Sequence, residues 1–456
     1  MLFRLLSRFL PVFLLTALLE AKVIPVKDVS AFDAACREAK PGDTLVLSSG
    51  EWRNARLVFR ATGSADAPIT LTAEKPGTVK LTGQSSLSFA GDFLVVSGLV
   101  FTDGYLERGA IVSFRHEDRA AQNCRLTDTA FIRYNPPDPA TRYPWVHVHG
   151  RNHRVDHCRF EGQNHRGVTL QIVVADGHNR HQIDHNHFLD RTPGGGNGYE
   201  TMQLAARAPS HSVVELNLFE ACDGEQEIIS NKSEDNIYRL NTFRRCAGAL
   251  TLRDGARATV ENNIFLGEGK PGTAGVRAID SGHIIRGNYF HGLTGHTTMG
   301  GIIALYAGIP PRERRLYATL EDVLVADNIL IGNAANGINL SAGYLNRERT
   351  VLPRKVTLRG NWIDLHPRHS LTVLTGTPGE ALVCEENFYS GTSEIGYAPP
   401  SGFTQTPSLY DPDAIVPLPP ELSAPATKER DGWSAVMTTL KPLTAADVGP
   451  TWWPRR

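Results

Sequence analysis

An all-β parallel β-helix is the fold this chain predicts, and three observations predict it. A short motif recurs, a run of apolar or alternating residues closing on Asn-x-Phe or a near variant. It returns at a coil-like interval, with no helix between copies. The chain also carries 42 glycines and many asparagine-containing turns but few long amphipathic stretches, as a fold made of corners requires. Copies include Val155–Phe160, Ile183–Phe188, Val214–Phe219, Ile237–Phe243, Val260–Phe265 and Ile285–Phe290. From Phe160 the aromatic steps are 28, 31, 24, 22 and 25 residues, and later steps of 40 and 33 imply loop insertions. A β-sandwich also uses many short strands, but its strands do not repeat one motif at coil spacing. Each coil should contribute about three strands. The phenylalanines should fill an interior stack, with the asparagines at corners, where they tolerate left-handed backbone and their side chains can bond the corner's backbone.

The elements follow in chain order. Arg4 and Arg8 precede the apolar run Phe9–Leu19, and Ala21 is a suitable last residue before cleavage, so 1–21 reads as an export signal. The run is short for a membrane span, and no later segment is apolar enough to cross a bilayer. A secreted or periplasmic protein, with no stable membrane insertion after cleavage, is expected. Val29 to Lys40 has the pattern of a short amphipathic helix that could cap the open end of the solenoid. Pro41-Gly42-Asp43-Thr44 then turns into a strand, and Pro68–Thr72 and Phe93–Phe101 continue the coils. The solenoid domain is expected over 22–395. Beyond it, Pro399, Pro400, Pro407, Pro417, Pro419 and Pro420 mark an extended tail, 396–456. Trp433, Trp452 and Trp453 suggest that this tail docks on the solenoid.

Charge is balanced, 47 Lys and Arg against 48 Asp and Glu, so no global basic field argues for nucleic acid. An anionic polymer would need a local basic groove. Six cysteines are scattered without a CxxC pair, which excludes a common zinc framework. Cys222 and Cys246 lie about one coil apart and could stack, bonded or simply buried; burial is favoured.

The chemistry concentrates in Gly224–Lys232 and Thr251-Leu252-Arg253. Glu225 and Glu227 are two apart, so on a strand both face one way. Lys232 and Arg253 are 21 residues apart, one coil, which makes them neighbours. Paired carboxylates suit a hard cation such as Ca2+. One coil earlier, Asn197 could add a carbonyl oxygen and Glu200 a further carboxylate. A cation there could clamp a uronate carboxylate and acidify the adjacent C5 proton. Lys232, when neutral, could take that proton, and neighbouring positive charge favours the neutral amine. Arg253 could stabilise the departing glycosidic oxygen, although arginine is a poor formal acid. The plain alternative is a solvated charge ladder on the outer face of a solenoid. Tyr199 could stack on a sugar or simply pack. Arg277, 24 residues after Arg253, could extend a basic track or be an exposed structural residue. Gln226 should point inward or sideways. His147 and His149 share a strand face near His153; a structural or groove-lining role is favoured over a metal site.

These segments carry a resemblance. Asn164–Leu170, Asn197-Gly198-Tyr199-Glu200-Thr201, Glu225–Ser233 and Leu250–Arg253 resemble motifs of polysaccharide lyase family 6, which contains alginate lyases and chondroitinase B. The resemblance runs from Pro41 to about residue 390. It implies a right-handed parallel β-helix, with Lys232 as Brønsted base and Arg253 as acid. It implies Asn197, Glu225 and Glu227 as calcium ligands and Glu200 as a less certain fourth. One departure is Asp254, where the family often has histidine after the arginine.

The expected function is therefore calcium-dependent cleavage of a uronate polysaccharide by β-elimination. Alginate is the first candidate substrate, since no cluster suited to sulfate stands out. Dermatan sulfate or chondroitin is the alternative within the class. Mannuronan C5-epimerisation and non-catalytic carbohydrate binding are alternatives outside it.

Overall fold

The structure, a computed structural model, describes residues 21–174, 178–311, 317–390, 396, 401–408, 410 and 440–454. The proposed export signal and Trp433 lie outside the described residues, apart from Ala21.

Three long parallel sheets of 14, 14 and 12 strands run along one axis. A typical coil gives one strand to each: Ile237–Arg239 to the first, Thr242–Arg244 to the second and Gly248–Leu252 to the third. Each strand pairs with its counterpart one coil before and one coil after, as Ile237 does with Val213 and Thr259. The crossovers are those of a right-handed parallel β-helix.

The interior is built by repetition. Phe101, Phe131, Phe160, Phe188, Phe219, Phe243, Phe265 and Phe290 stack in register. Their successive ring centroids lie 4.6–5.0 Å apart. That separation is close to the spacing of neighbouring strands, about 4.8 Å, so each ring lies directly on the next.

The asparagines sit at corners and bond backbone there, as expected, but do not themselves take the left-handed conformation. Asn186, Asn217, Asn241, Asn263, Asn288, Asn328, Asn361 and Asn387 are fully buried, between the first and second sheets. The left-handed residue is the one before each, such as Leu216, Leu240 and Asn262 at φ near +54°. Each asparagine carbonyl instead accepts the backbone N–H one coil earlier, as Asn241 Oδ1 does from Asn217 N at 3.1 Å. Each side-chain amide donates onward, as Asn241 Nδ2 does to Asn263 Oδ1 at 3.0 Å.

The amino-terminal helix spans Val29–Glu38 and is capped by Asp28, whose carboxylate accepts from Ala31 N at 2.8 Å. It buries Phe32, Ala35 and Cys36 over the first coils, with Phe32 6.1 Å from the Phe59 ring. All six cysteines are free, Cys222 and Cys246 among the buried ones.

The described parts of the tail touch the solenoid. Phe403–Thr406 extends the second sheet beside Asn387–Ser390. Residues 440–454 run back along the coils: Leu443 N bonds Thr242, Gly449 N bonds His185, and Thr451 bonds Asp128. The Trp452 indole donates to the Asp128 carbonyl, and the Arg159 guanidinium sits 5.1 Å from the Trp453 ring. No described helix is long and apolar enough to cross a membrane.

Candidate active site

The third sheet builds the site. Its inward row, Leu170, Met202, Ile229, Leu250 and Val276, is fully buried. Its outward row on the same rungs is polar: Gln171, Gln203, Ser230, Thr251 and Arg277. Strand alternation sets the two rows apart, and in the last three strands the polar row, Ser230, Thr251 and Arg277, is buried as well.

Glu200, Glu225 and Glu227 converge there, with one carboxylate oxygen from each within 4.8 Å of the others. Simple strand alternation is not what aligns the last two. Glu225 precedes the strand Glu227–Asn231, and the register shifts by a bulge between Glu227 and Ile229. Bulges re-aim side chains in this way beside functional sites. Gln226 turns sideways, its Oε1 accepting from Thr298 at 3.0 Å.

The three carboxylates are held differently. Glu227 is buried and well compensated: Ser230 Oγ donates at 2.6 Å and Arg277 Nη1 at 3.0 Å, with Arg253 Nε 3.5 Å away. Glu200 Oε1 accepts from Gln203 at 2.9 Å and lies 3.9 Å from Lys232 Nζ, whereas its Oε2 is buried without a hydrogen-bond partner. Glu225 is pushed up to about 8 by burial and by the charges of Glu200 and Glu227, partly offset by Lys232 and the Gly198 amide. An acidic group crowded in this way lacks a counter-charge. The donor set, hard oxygens only, fits Ca2+. Asn197 is exposed, one residue before the Gly198 that touches Glu225.

Lys232 and Arg253 follow the ends of adjacent strands, since Asn231 pairs with Leu252 and Arg253 N bonds the Asn231 carbonyl at 2.8 Å. Arg253 Nη1 is buried without a partner. Arg277 is level with Thr251 rather than Arg253, and a register shift between Gly248 and Leu250 sets it there instead of opposite Leu252. It is 3% exposed, paired with Glu227 and stacked 4.4 Å from the Tyr306 ring. Tyr199 packs on Arg191 at 5.3 Å, and a Cβ at Gly194 would strike its ring at 2.1 Å. Arg191, which the sequence did not single out, is buried and donates to the carbonyls of Gln163, His165 and Gly167, holding the loop beneath. The Asp254 carboxylate accepts from Arg207 Nη2 at 2.8 Å.

Three further residues emerge only in three dimensions. Tyr317 lies with its ring centroid 4.3 Å from the Arg253 guanidinium carbon, and Tyr306 and Arg349 complete the cluster. The distant histidines form a separate group. His147 and His149 bond each other at 3.2 Å, and burial and Arg115 push both down to about 4. His153 is buried and stacks on His181 at 5.1 Å. Among the described residues the glutamate triad is the one acidic, His or Cys group gathered tightly enough for an ion.

Residues 26–370 match the family described as Chondroitinase B. Among solved structures, the chain is similar to a polysaccharide lyase family 6 alginate lyase, AlyGC. The identity is 34% and the TM-score 0.85, covering 95% of this chain and 59% of that one. It is also similar to a mannuronic acid specific family 6 lyase from human gut microbiota, at 26% identity and TM-score 0.75, covering 95% of this chain and 97% of that one. A family 6 lyase from Pseudopedobacter saltans matches at 26% identity and TM-score 0.71, covering 94% of this chain and 100% of that one. No curated protein matches. The chain spans about three fifths of the length of AlyGC. With its three-sheet solenoid and the extent of these matches, the chain belongs to polysaccharide lyase family 6, the chondroitinase B family.

Proposed function

We propose that the chain is a calcium-dependent lyase that cleaves a uronate polysaccharide, alginate in the first place, by β-elimination. The observation that carries this reading is the juxtaposition of Lys232 and Arg253, on adjacent rungs, with three converging carboxylates. Glu200 faces Lys232, and Glu227 faces Arg253 and Arg277, while Glu225 has no ion pair of its own among the described residues. A divalent ion held by Glu200, Glu225, Glu227 and Asn197 would leave the groove cationic and would acidify the C5 proton of a bound uronate.

The residues of the chain supply the rest. Lys232, as the neutral amine, takes the C5 proton. The pair of the broken C5–H bond becomes the C4–C5 double bond as the C4–O bond breaks and its pair leaves with the glycosidic oxygen. Arg253, with an unpartnered buried N–H, donates to the departing oxygen and stabilises its charge. The proton itself then comes from solvent, since guanidinium does not give one up readily. Tyr199 and Arg277, weighed as substrate contacts, are better suited to holding loop and carboxylate, given their packing. We assign the activity to a solenoid domain over 22–395, with 396–456 a docked tail and 1–21 an export signal that makes the protein secreted or periplasmic. The alginate lyases among the similar structures support alginate as substrate.

The test is a panel of alginate, dermatan sulfate and chondroitin sulfate, followed by ultraviolet absorbance of the unsaturated product and by product sizing. Alginate should give a rise that a chelator and Lys232→Ala both abolish. A rise on dermatan sulfate alone would move the substrate within the family. A changed mannuronate-to-guluronate ratio without any rise would replace elimination by epimerisation, and binding alone would leave a carbohydrate-binding module.

A further inference from the structure

Arg253 and Arg277 are held by different means. Arg277 lies 4.4 Å from the Tyr306 ring and is also fixed by polar contacts, with Nη1 on Glu227 at 3.0 Å and Nη2 donating to the Tyr317 hydroxyl at 3.3 Å. Arg253 has only a 3.5 Å approach of Nε to Glu227, longer than a good hydrogen bond. Its Nη1 is buried and unpartnered. What lies against its plane is the ring of Tyr317, 4.3 Å from the guanidinium carbon to the ring centroid, within cation–π range. Tyr317 is itself anchored. Its carbonyl accepts from Ile309 N at 2.8 Å, its hydroxyl takes the Arg277 bond, and Arg349 lies 5.1 Å from the same ring. It enters from the excursion between the strands Ile303–Tyr306 and Glu321–Ala326, with its backbone at φ +51°. Tyrosine is rare in that left-handed region, so the position is one the surrounding contacts impose.

We propose that Tyr317 is a positioning residue for Arg253: its ring orients the guanidinium so that the free N–H groups face the departing oxygen. This rests on the elimination proposed above. The ring supplies the function and the hydroxyl only steadies the ring, so phenylalanine should substitute and an aliphatic residue should not.

Two measurements test this on the full-length protein. The first needs no activity. In arginine-labelled protein without added metal, several arginines beside rings should show ring-current-shifted side-chain resonances, and one set of these should disappear in Arg253→Lys. That set should persist in Tyr317→Phe and vanish in Tyr317→Leu. A wild-type Arg253 without shifted resonances, or shifts that survive Tyr317→Leu, would overturn the proposal. The second is kinetic. Tyr317→Leu should lower kcat about 10-fold or more with KM changed less than about threefold, as loss of an interaction made in the transition state does, and Tyr317→Phe should restore most of it. Added guanidinium should rescue Arg253→Ala when the ring is present and not in the Tyr317→Leu background. Equal rescue in both backgrounds, or unchanged kcat in Tyr317→Leu, would overturn the proposal. A wild type that forms no unsaturated product from any uronate polymer would instead sink the lyase reading, and the resonance shifts would still report whether the ring holds Arg253.

Discussion

The asparagine ladder and the glutamate–arginine cluster both bury polar groups on the same solenoid, and they treat them in opposite ways. In the ladder each buried amide closes its bonds within the chain: Asn241 accepts from Asn217 N and Nδ2 and donates to Val214 O and Asn263 Oδ1. In the cluster, Glu200 Oε2, Arg253 Nη1, Arg277 Nε and Thr251 Oγ1 are buried with no partner. Unpaired buried polar atoms cost roughly 1–3 kcal/mol each, and the ladder shows that this fold can avoid that cost. The cluster therefore stores unmet bonding capacity where a ligand would meet it, whereas the ladder spends all of its own on stability.

Removing a group from each region should separate activity from stability. Lys232→Ala should lower the elimination rate by about 10²–10⁴-fold, the usual contribution of a general base, with Tm little changed. Asn241→Ala should do the reverse, costing about 2–5 kcal/mol in denaturant unfolding because Asn217 N–H and Val214 O lose their partner. Its activity per folded molecule should stay near wild type. Loss of activity with intact stability in Asn241→Ala would erase the distinction.

Glu225→Gln sharpens it further. Saturating calcium at 100 times its Kd should stabilise the wild type by about 2.7 kcal/mol, read as a rise in Tm, and most of that rise should vanish in the variant. The wild-type dependence on pH has a fixed sign. Glu225 is raised from 4.5 to about 8 in the fold, so the metal-free protein binds an extra proton between those values and loses stability as pH rises through them. The gain from calcium should grow over the same window, and a gain that shrinks with pH would count against Glu225 as a ligand.

The buried histidines give the opposite slope. His147, His149, His153 and His165 are lowered from 6.5 to about 4 by burial, so the unfolded chain binds more protons between those values. Stability should fall as pH drops from 6.5 toward 4, and His147→Gln should flatten that fall. The smallest effect is expected at Asp254→Ala. Its partner Arg207 is about a third exposed, so under about 1 kcal/mol should be lost, and a rate change above about threefold would show that the pair shapes the groove.

Much of this was legible in the sequence because a solenoid is nearly one-dimensional. The Asn-x-Phe interval reports coil length directly, and 21 residues between Lys232 and Arg253 become one rung. Legibility failed where the interval does. The bulge after Glu227 re-aims the glutamates and the register shift after Gly248 sets Arg277 level with Thr251 rather than Leu252, which residue counting does not reveal. Asparagine beside a turn suggested left-handed backbone, but hydrogen bonding along the stack claims the buried amide and the preceding residue takes the turn. Tyr317 arrives from an excursion outside the repeat, and Arg191 acts through backbone carbonyls; neither leaves a periodic signal.

The most direct test pairs two readings on Lys232→Ala, its calcium-dependent Tm gain and its rate of unsaturated product formation from alginate. A calcium gain close to that of the wild type, together with loss of nearly all the rate, is expected. A variant that binds calcium and still cleaves alginate at the wild-type rate would contradict it.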